Sequence, residues 1–156
     1  MDFTLTDEQR MLVKTIRRFV YDELIPLEDD IEATGALDPA AARSIFEKSR
    51  DLGFYAMNIP EELGGGGLSA IETMLVEEQF GHCKDILIRR AFGNVYEVLL
   101  EGDPAQRERW LLPTVRGERT CSIAITEPGA GSDAASITTR AERTATGWTL
   151  NGGKYF

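Results

Sequence analysis

The hydrophobic period changes near Gly117, and that change constrains the fold more than any other feature of the chain. Upstream, Leu12, Ile16, Phe19, Val20 and Leu24 recur at helical spacing. Downstream, Thr120–Thr126 and Ile137–Arg143 are rich in threonine and isoleucine with partial alternation, which is strand-like. A turn at Thr146-Gly147 then leads into Trp148-Thr149-Leu150. A composition shift of this kind marks a domain boundary at about residues 117 to 120. The expected fold is mainly α, a helical domain over 1–118 followed by the first strands of a β domain over 119–156.

Start and stop signals divide the helical part. Thr6-Asp7-Glu8-Gln9 is a capping box, in which threonine accepts a free backbone N–H and Gln9 reaches back. Pro26 bends or ends the helix that follows. Asp38-Pro39 opens a second helix carrying Ile45, Phe46 and Leu52, with Gly53 as its stop. Gly64-Gly65-Gly66-Gly67 is a loop, since four glycines cannot hold a helix or strand interior. Ser69-Ala70-Ile71-Glu72 caps a helix ending near Gly81, and Asp103-Pro104-Ala105-Gln106 starts one carrying Trp110, Leu111 and Leu112. Ile86 to Leu100 is apolar on nearly every side and reads as a centrally buried helix, with Arg89 and Arg90 needing partners or water. Lys154-Tyr155-Phe156 reads as the start of a strand. A few strands cannot bury both faces, so the chain is expected to be part of a longer protein.

Charge and cysteine content exclude several functions. The chain has 17 basic and 26 acidic residues, a formal net charge of -9 that makes nucleic acid a poor partner. Cys83 and Cys121 form no CxxC, and the single histidine, His82, cannot anchor a metal cluster; at a helix end it reads as a cap. No segment is long and apolar enough for membrane insertion. The acidic Asp2, Asp7 and Glu8 are unlike a secretory or transit signal, so a cytoplasmic location is expected.

The chemistry concentrates in Ile123-Ala124-Ile125-Thr126-Glu127-Pro128-Gly129-Ala130-Gly131-Ser132-Asp133. A small-residue loop of this kind lets backbone N–H groups approach a flat or anionic ligand. Gly129 to Ala134 fits the dinucleotide pattern G-x-G-x-x-[GA], but Ser136-Ile137-Thr138-Thr139 follows where that motif needs a helix. On composition alone, an ordinary turn between strands is the favoured reading.

The longer string Thr126–Asp133 resembles the flavin-contacting signature of the acyl-CoA dehydrogenase family. Pro60-Glu61-Glu62-Leu63-Gly64-Gly65, Glu77-Glu78-Gln79-Phe80-Gly81 and Asn151-Gly152-Gly153-Lys154-Tyr155-Phe156 resemble further family segments in the same order. The resemblance implies an N-terminal helical domain, the opening of a middle β domain, and a C-terminal four-helix domain absent from this chain. It implies FAD as cofactor and α,β-dehydrogenation of an acyl-CoA thioester to a 2-enoyl-CoA, by a longer protein. Ile123, Ala124, Ile125 and Thr126 fall where the family lines the flavin ring. Gly131 and Ser132 fall where it approaches the FAD pyrophosphate and the acyl-CoA, and Ser132 is assigned to substrate contact. Phe156 falls at an aromatic position beside the flavin. Glu127 and Asp133 look structural, and no catalytic residue is assigned, because the family's base sits in the missing domain. An electron-transfer flavoprotein and a homo-oligomer, commonly a tetramer, are the implied partners. The same fold also hosts acyl-CoA oxidases and flavin monooxygenases, and a non-catalytic helical interaction module is a further alternative. Arg89 and Arg90 are expected in internal ion pairs, and Tyr96 in the core.

Overall fold

A computed structural model of the protein describes residues 4–93 and 95–156. It divides into two compact units, Met1–Cys121 and Ser122–Phe156.

The first unit is helical. Helix α1, Asp7–Phe19, starts at the Thr6–Gln9 capping box and continues as a π turn, Val20–Leu24. A 3₁₀ turn containing Pro26, Ile25–Leu27, separates it from α2, Glu28–Thr34. Pro26 therefore ends the helix as its missing N–H requires. Asp38 caps α3, Pro39–Asp51, and the Ser69 capping box opens α4, Ala70–Phe80. α5 covers Asp85–Ala91. The Asp103 capping box opens α6, Pro104–Gln106, which runs through a π turn into α7, Leu112–Val115.

α1 packs on α4, and α3 on α5. Ile16, Phe19, Val20, Leu24, Ile45, Val76, Phe80, Leu87 and Ala91 meet in the main core. The rings of Phe19 and Phe54 lie edge-on at 5.3 Å, and those of Phe80 and Phe92 at 5.7 Å. A smaller cluster gathers Ala56, Ile59, Val95, Leu111 and Val115. Two polar groups are buried with partners. The Ser49 hydroxyl donates to the Ala91 carbonyl, tying α3 to α5, and Gln79 accepts from Arg17 Nε at 2.8 Å.

The apolar stretch from Ile86 to Leu100 is not one buried helix. α5 stops at Ala91, and the chain resumes helical form only as a 3₁₀ segment, Glu97–Glu101. Gly93 explains the break: its φ is 87°, and a Cβ there would meet the Tyr55 ring at 2.8 Å. Leu87, Ala91, Phe92 and Val95 are buried, whereas Ile86 and Val98 are exposed. Arg89 pairs with Asp85 one turn back, and Arg90 is exposed. Tyr96 is half-buried.

The second unit carries a two-stranded antiparallel hairpin. β1, Arg140–Thr144, pairs with β2, Gly147–Asn151, in the register Arg140↔Asn151 to Thr144↔Gly147. The turn is Ala145-Thr146, one residue earlier than the Thr146-Gly147 dipeptide suggests. Thr120–Thr126 and Lys154–Phe156 belong to no strand, and Ile137–Thr139 precedes β1 rather than opening it. These segments have strand composition but no ladder partner, and composition cannot supply one.

Candidate functional site

The loop after Thr126 is a tight reversal. Glu127 N–H donates to the Ala130 carbonyl at 2.9 Å, and Ala130 N–H donates back at 3.1 Å. Pro128-Gly129 forms the tip, as proline's fixed φ favours. Asp133 then accepts from Ala135 N–H at 3.2 Å and from the Ser136 hydroxyl, holding the next turn.

Glu127 is only 5% exposed, and its carboxylate is fully engaged. It accepts from the N–H and hydroxyl of Thr138, both at 2.8 Å, and from Thr139 N–H at 3.0 Å. Lys154 Nζ lies 2.9 Å away. Thr139 first, then Lys154 and the Thr138 N–H hold this carboxyl well below the usual carboxylate range. A carboxylate so fully engaged fits a structural role for Glu127, and the turn bonds to Ala135 and Ser136 fit one for Asp133.

Lys154 was not singled out by sequence reasoning. Its ammonium also donates to the Ile125 carbonyl at 2.8 Å, and the next residue, Tyr155, donates its N–H to the Thr126 carbonyl at 2.9 Å. The available signal was its isolation: it is the single lysine in residues 122–156, set among glycines and aromatics.

The residues expected at a ligand lie on this frame. Ile123 and Ile125 are about half exposed, at 51% and 46%, and Ala124, Thr126, Gly131 and Ser132 are exposed. Phe156 is fully exposed and follows the Tyr155 link to Thr126. Among the described residues, the N–H groups of Ile123 to Thr126, Gly129, Gly131 and Ser132 have no hydrogen-bond partner, nor do the hydroxyls of Thr126 and Ser132. The fold thus engages the carbonyls of Ile125 and Thr126 and leaves a row of donors open.

The glycines point the same way. At Gly65 a Cβ would sit 2.1 Å from the Ile59 carbonyl oxygen, so that glycine is required by the chain's own packing. At Gly129 and Gly131 a Cβ would meet nothing within 4 Å, and neither has a left-handed φ. Nothing inside this chain demands glycine there, whereas close approach by a ligand would. An apolar run edged with free donors thus lies beside an uncluttered turn.

Among the described residues, no group of three or more His, Cys, Asp or Glu is placed to hold a metal. Among the described residues no helix is long and apolar enough to cross a membrane.

A helical unit is followed in sequence by a β unit, and sequence comparison specifies the class. Residues 6–118 match the model of the acyl-CoA dehydrogenase N-terminal domain. The chain belongs to the acyl-CoA dehydrogenase family. It is 36% identical to (R)-benzylsuccinyl-CoA dehydrogenase of Thauera aromatica, with all of this chain and 42% of that protein aligned. It is 37% identical to benzylmalonyl-CoA dehydrogenase of Aromatoleum aromaticum, over 99% of this chain and 41% of that protein. The chain thus spans about two-fifths of these curated relatives. Its fold is similar to butyryl-CoA dehydrogenase of Megasphaera elsdenii, with a TM-score of 0.74 at 30% identity, covering all of this chain and 42% of that one. It is also similar to an acyl-CoA dehydrogenase of Bacillus anthracis complexed with FAD, with a TM-score of 0.75 at 30% identity, covering 96% of this chain and 26% of that one.

Proposed function

We propose that this chain provides the helical domain and the first flavin-facing segment of an FAD-dependent acyl-CoA dehydrogenase, which converts an acyl-CoA thioester to a 2-enoyl-CoA. The observation that carries the reading is the open row of donors at Ile123–Thr126, Gly131 and Ser132, beside glycines that the fold itself does not need. Bound FAD would supply the two-electron acceptor for the substrate's β-hydride. This chain's part is to bind and orient. Backbone N–H groups of Ile123 to Thr126 and the Thr126 hydroxyl would hydrogen-bond the ring's polar edge, while Ile123, Ile125 and Phe156 offer apolar surface against its faces. Donors fixed at that edge favour negative charge there, which eases reduction. Gly131 would admit the diphosphate to the backbone, and the Ser132 hydroxyl would meet the acyl-CoA. The base that removes the α-proton is assigned to no residue of this chain.

An electron-transfer flavoprotein as oxidant and a homo-oligomeric assembly complete the proposal. Similarity to a structure of the electron transferring flavoprotein of Acidaminococcus fermentans, 28% identical at a TM-score of 0.78, supports the link to that redox system.

The test is the intact protein after desalting, with a visible spectrum and an acyl-CoA panel using a dye acceptor. The names of the Thauera and Aromatoleum relatives make benzylsuccinyl-CoA and benzylmalonyl-CoA part of the panel. A yellow protein whose dye reduction depends on a thioester is expected. A colourless protein indifferent to every thioester overturns the reading.

A further inference from the structure

We propose that Lys154 is a positioning residue for the flavin edge, acting through the Ile125 carbonyl and the Glu127 carboxylate. The inference rests on the function proposed above.

Thr138 and Thr139 immediately precede β1, and Lys154 and Tyr155 follow β2 by a few residues. β1 and β2 begin and end together at Arg140↔Asn151, so these four residues converge on the open end of the hairpin. Glu127 sits between the two ends and is bonded to both: Thr138 and Thr139 on one side, Lys154 on the other. Lys154 then reaches one residue beyond Glu127's neighbour, to the Ile125 carbonyl at 2.8 Å. This ammonium, with the Glu127 carboxylate beside it, therefore ties the donor-bearing run to both strand ends, Lys154 lying 29 residues from Ile125 in sequence.

The run has little else to hold it. Ile123 to Thr126 joins no strand, its four residues are exposed, and its N–H groups make no bond inside the described chain. Its attachments are the Lys154 bond at Ile125 and the Tyr155 bond at Thr126. A neutral side chain at position 154 removes the first. It also leaves the Glu127 charge, 3% exposed at its side chain, without its cation. Lys154 itself keeps 21% exposure, and its ammonium bonds the Ile125 carbonyl and the Glu127 carboxylate. A cation this close to the ring-facing run sets both its alignment and the local potential, so it affects how readily the flavin accepts electrons.

The experiment compares Lys154→Met, Lys154→Arg and Glu127→Gln with the parent in the intact protein. FAD dissociation constants, the flavin midpoint potential, and thermal stability of the flavin-free form are measured. Lys154→Met is expected to weaken FAD at least tenfold and lower the midpoint potential. Lys154→Arg, which keeps the charge, is expected to recover most of both. Glu127→Gln puts an amide NH2 group where one carboxylate oxygen accepted and leaves Lys154 without its anion, so it is expected to weaken FAD and to raise the midpoint potential rather than lower it. If Lys154→Met does not fold, Glu127→Gln decides. An FAD affinity within twofold of the parent together with an unchanged midpoint potential in Lys154→Met, or in Glu127→Gln where Lys154→Met does not fold, overturns the proposal whatever happens to stability. A parent that carries no flavin overturns the proposed function and this inference with it. A parent that carries flavin beside unaffected variants overturns this inference alone.

Discussion

Single residues separate what the fold needs from what a ligand needs. A Cβ at Gly152 would lie 2.1 Å from the Thr139 hydroxyl oxygen and 2.7 Å from Thr139 Cα. Thr139 donates its N–H to Glu127, so Gly152→Ala must disturb the Glu127 clamp. Overpacking of this kind costs about 1–3 kcal/mol. Loss of the hairpin amide signals in an NMR spectrum, or a lower unfolding midpoint, is the expected outcome. Gly131→Ala is the opposite case. Its Cβ meets open space at an ordinary φ, so the flavin-free protein should be unchanged or stabilised by up to ~1 kcal/mol through the unfolded state. FAD affinity should nevertheless fall, which titration of the same variant would register. Cys83 gives a pH-dependent case. Burial first, and the Glu28 charge second, push its thiol up to about 11. The folded state thus keeps a proton that the unfolded chain releases near its ordinary value of about 8.5. Stability contributed by this group is full below the unfolded value and falls as pH rises from there to about 11. Alkylation of Cys83 at pH 8 should be slow, and mass spectrometry of the modified protein would report it. Glu127 carries the reverse sign: its contribution is complete above the ordinary carboxylate pKa and is lost as pH falls below it.

Elements were legible in proportion to how local their signals are. The capping boxes read from sequence at Thr6 and Ser69 are present with both reciprocal bonds, and the helix start read at Asp103 carries the same pair. Those signals lie within four residues, and local geometry alone satisfies them. The stretch from Ile86 to Leu100 misled because hydrophobicity reports burial, whereas helix continuity depended on Gly93 fitting against Tyr55, a contact 38 residues away in sequence. The strand-like run before Glu127 misled for a related reason: β-branched residues favour extended backbone, but a strand needs a partner. The reversal at Glu127–Ala130 was legible because its residue types are unusual, while the contacts of Lys154 were not, because they exist only after the hairpin closes. The α3–α5 contact was also hidden, since Ser49 looks like a surface residue and is fully buried. Ser49→Ala leaves the Ala91 carbonyl without this donor, and a loss of about 1–3 kcal/mol is expected in chemical denaturation.

At the scale of the whole molecule, the two units differ in how they can hold themselves together. The helical unit gathers its core from α1, α3, α4 and α5, and Phe80 is buried at its centre. Phe80→Ala should therefore cost about 3–5 kcal/mol and unfold much of that unit. The second unit has no comparable core. Every residue of β1 and β2 is exposed, including Trp148 and Leu150, and a lone two-stranded hairpin is marginal in water. Its order rests on the buried Glu127 network rather than on apolar burial. Native-state hydrogen exchange on this chain should reflect that division: amides of Ile16 to Leu24 and Val76 to Phe80 exchange slowly, while those of Arg140 to Asn151 are protected only weakly. Lowering the pH below the carboxylate range should release the hairpin amides further before the helical ones, because protonating Glu127 removes the ionic part of its network. Equal protection in both units, unaffected by acid, would mean that something other than this network orders the hairpin.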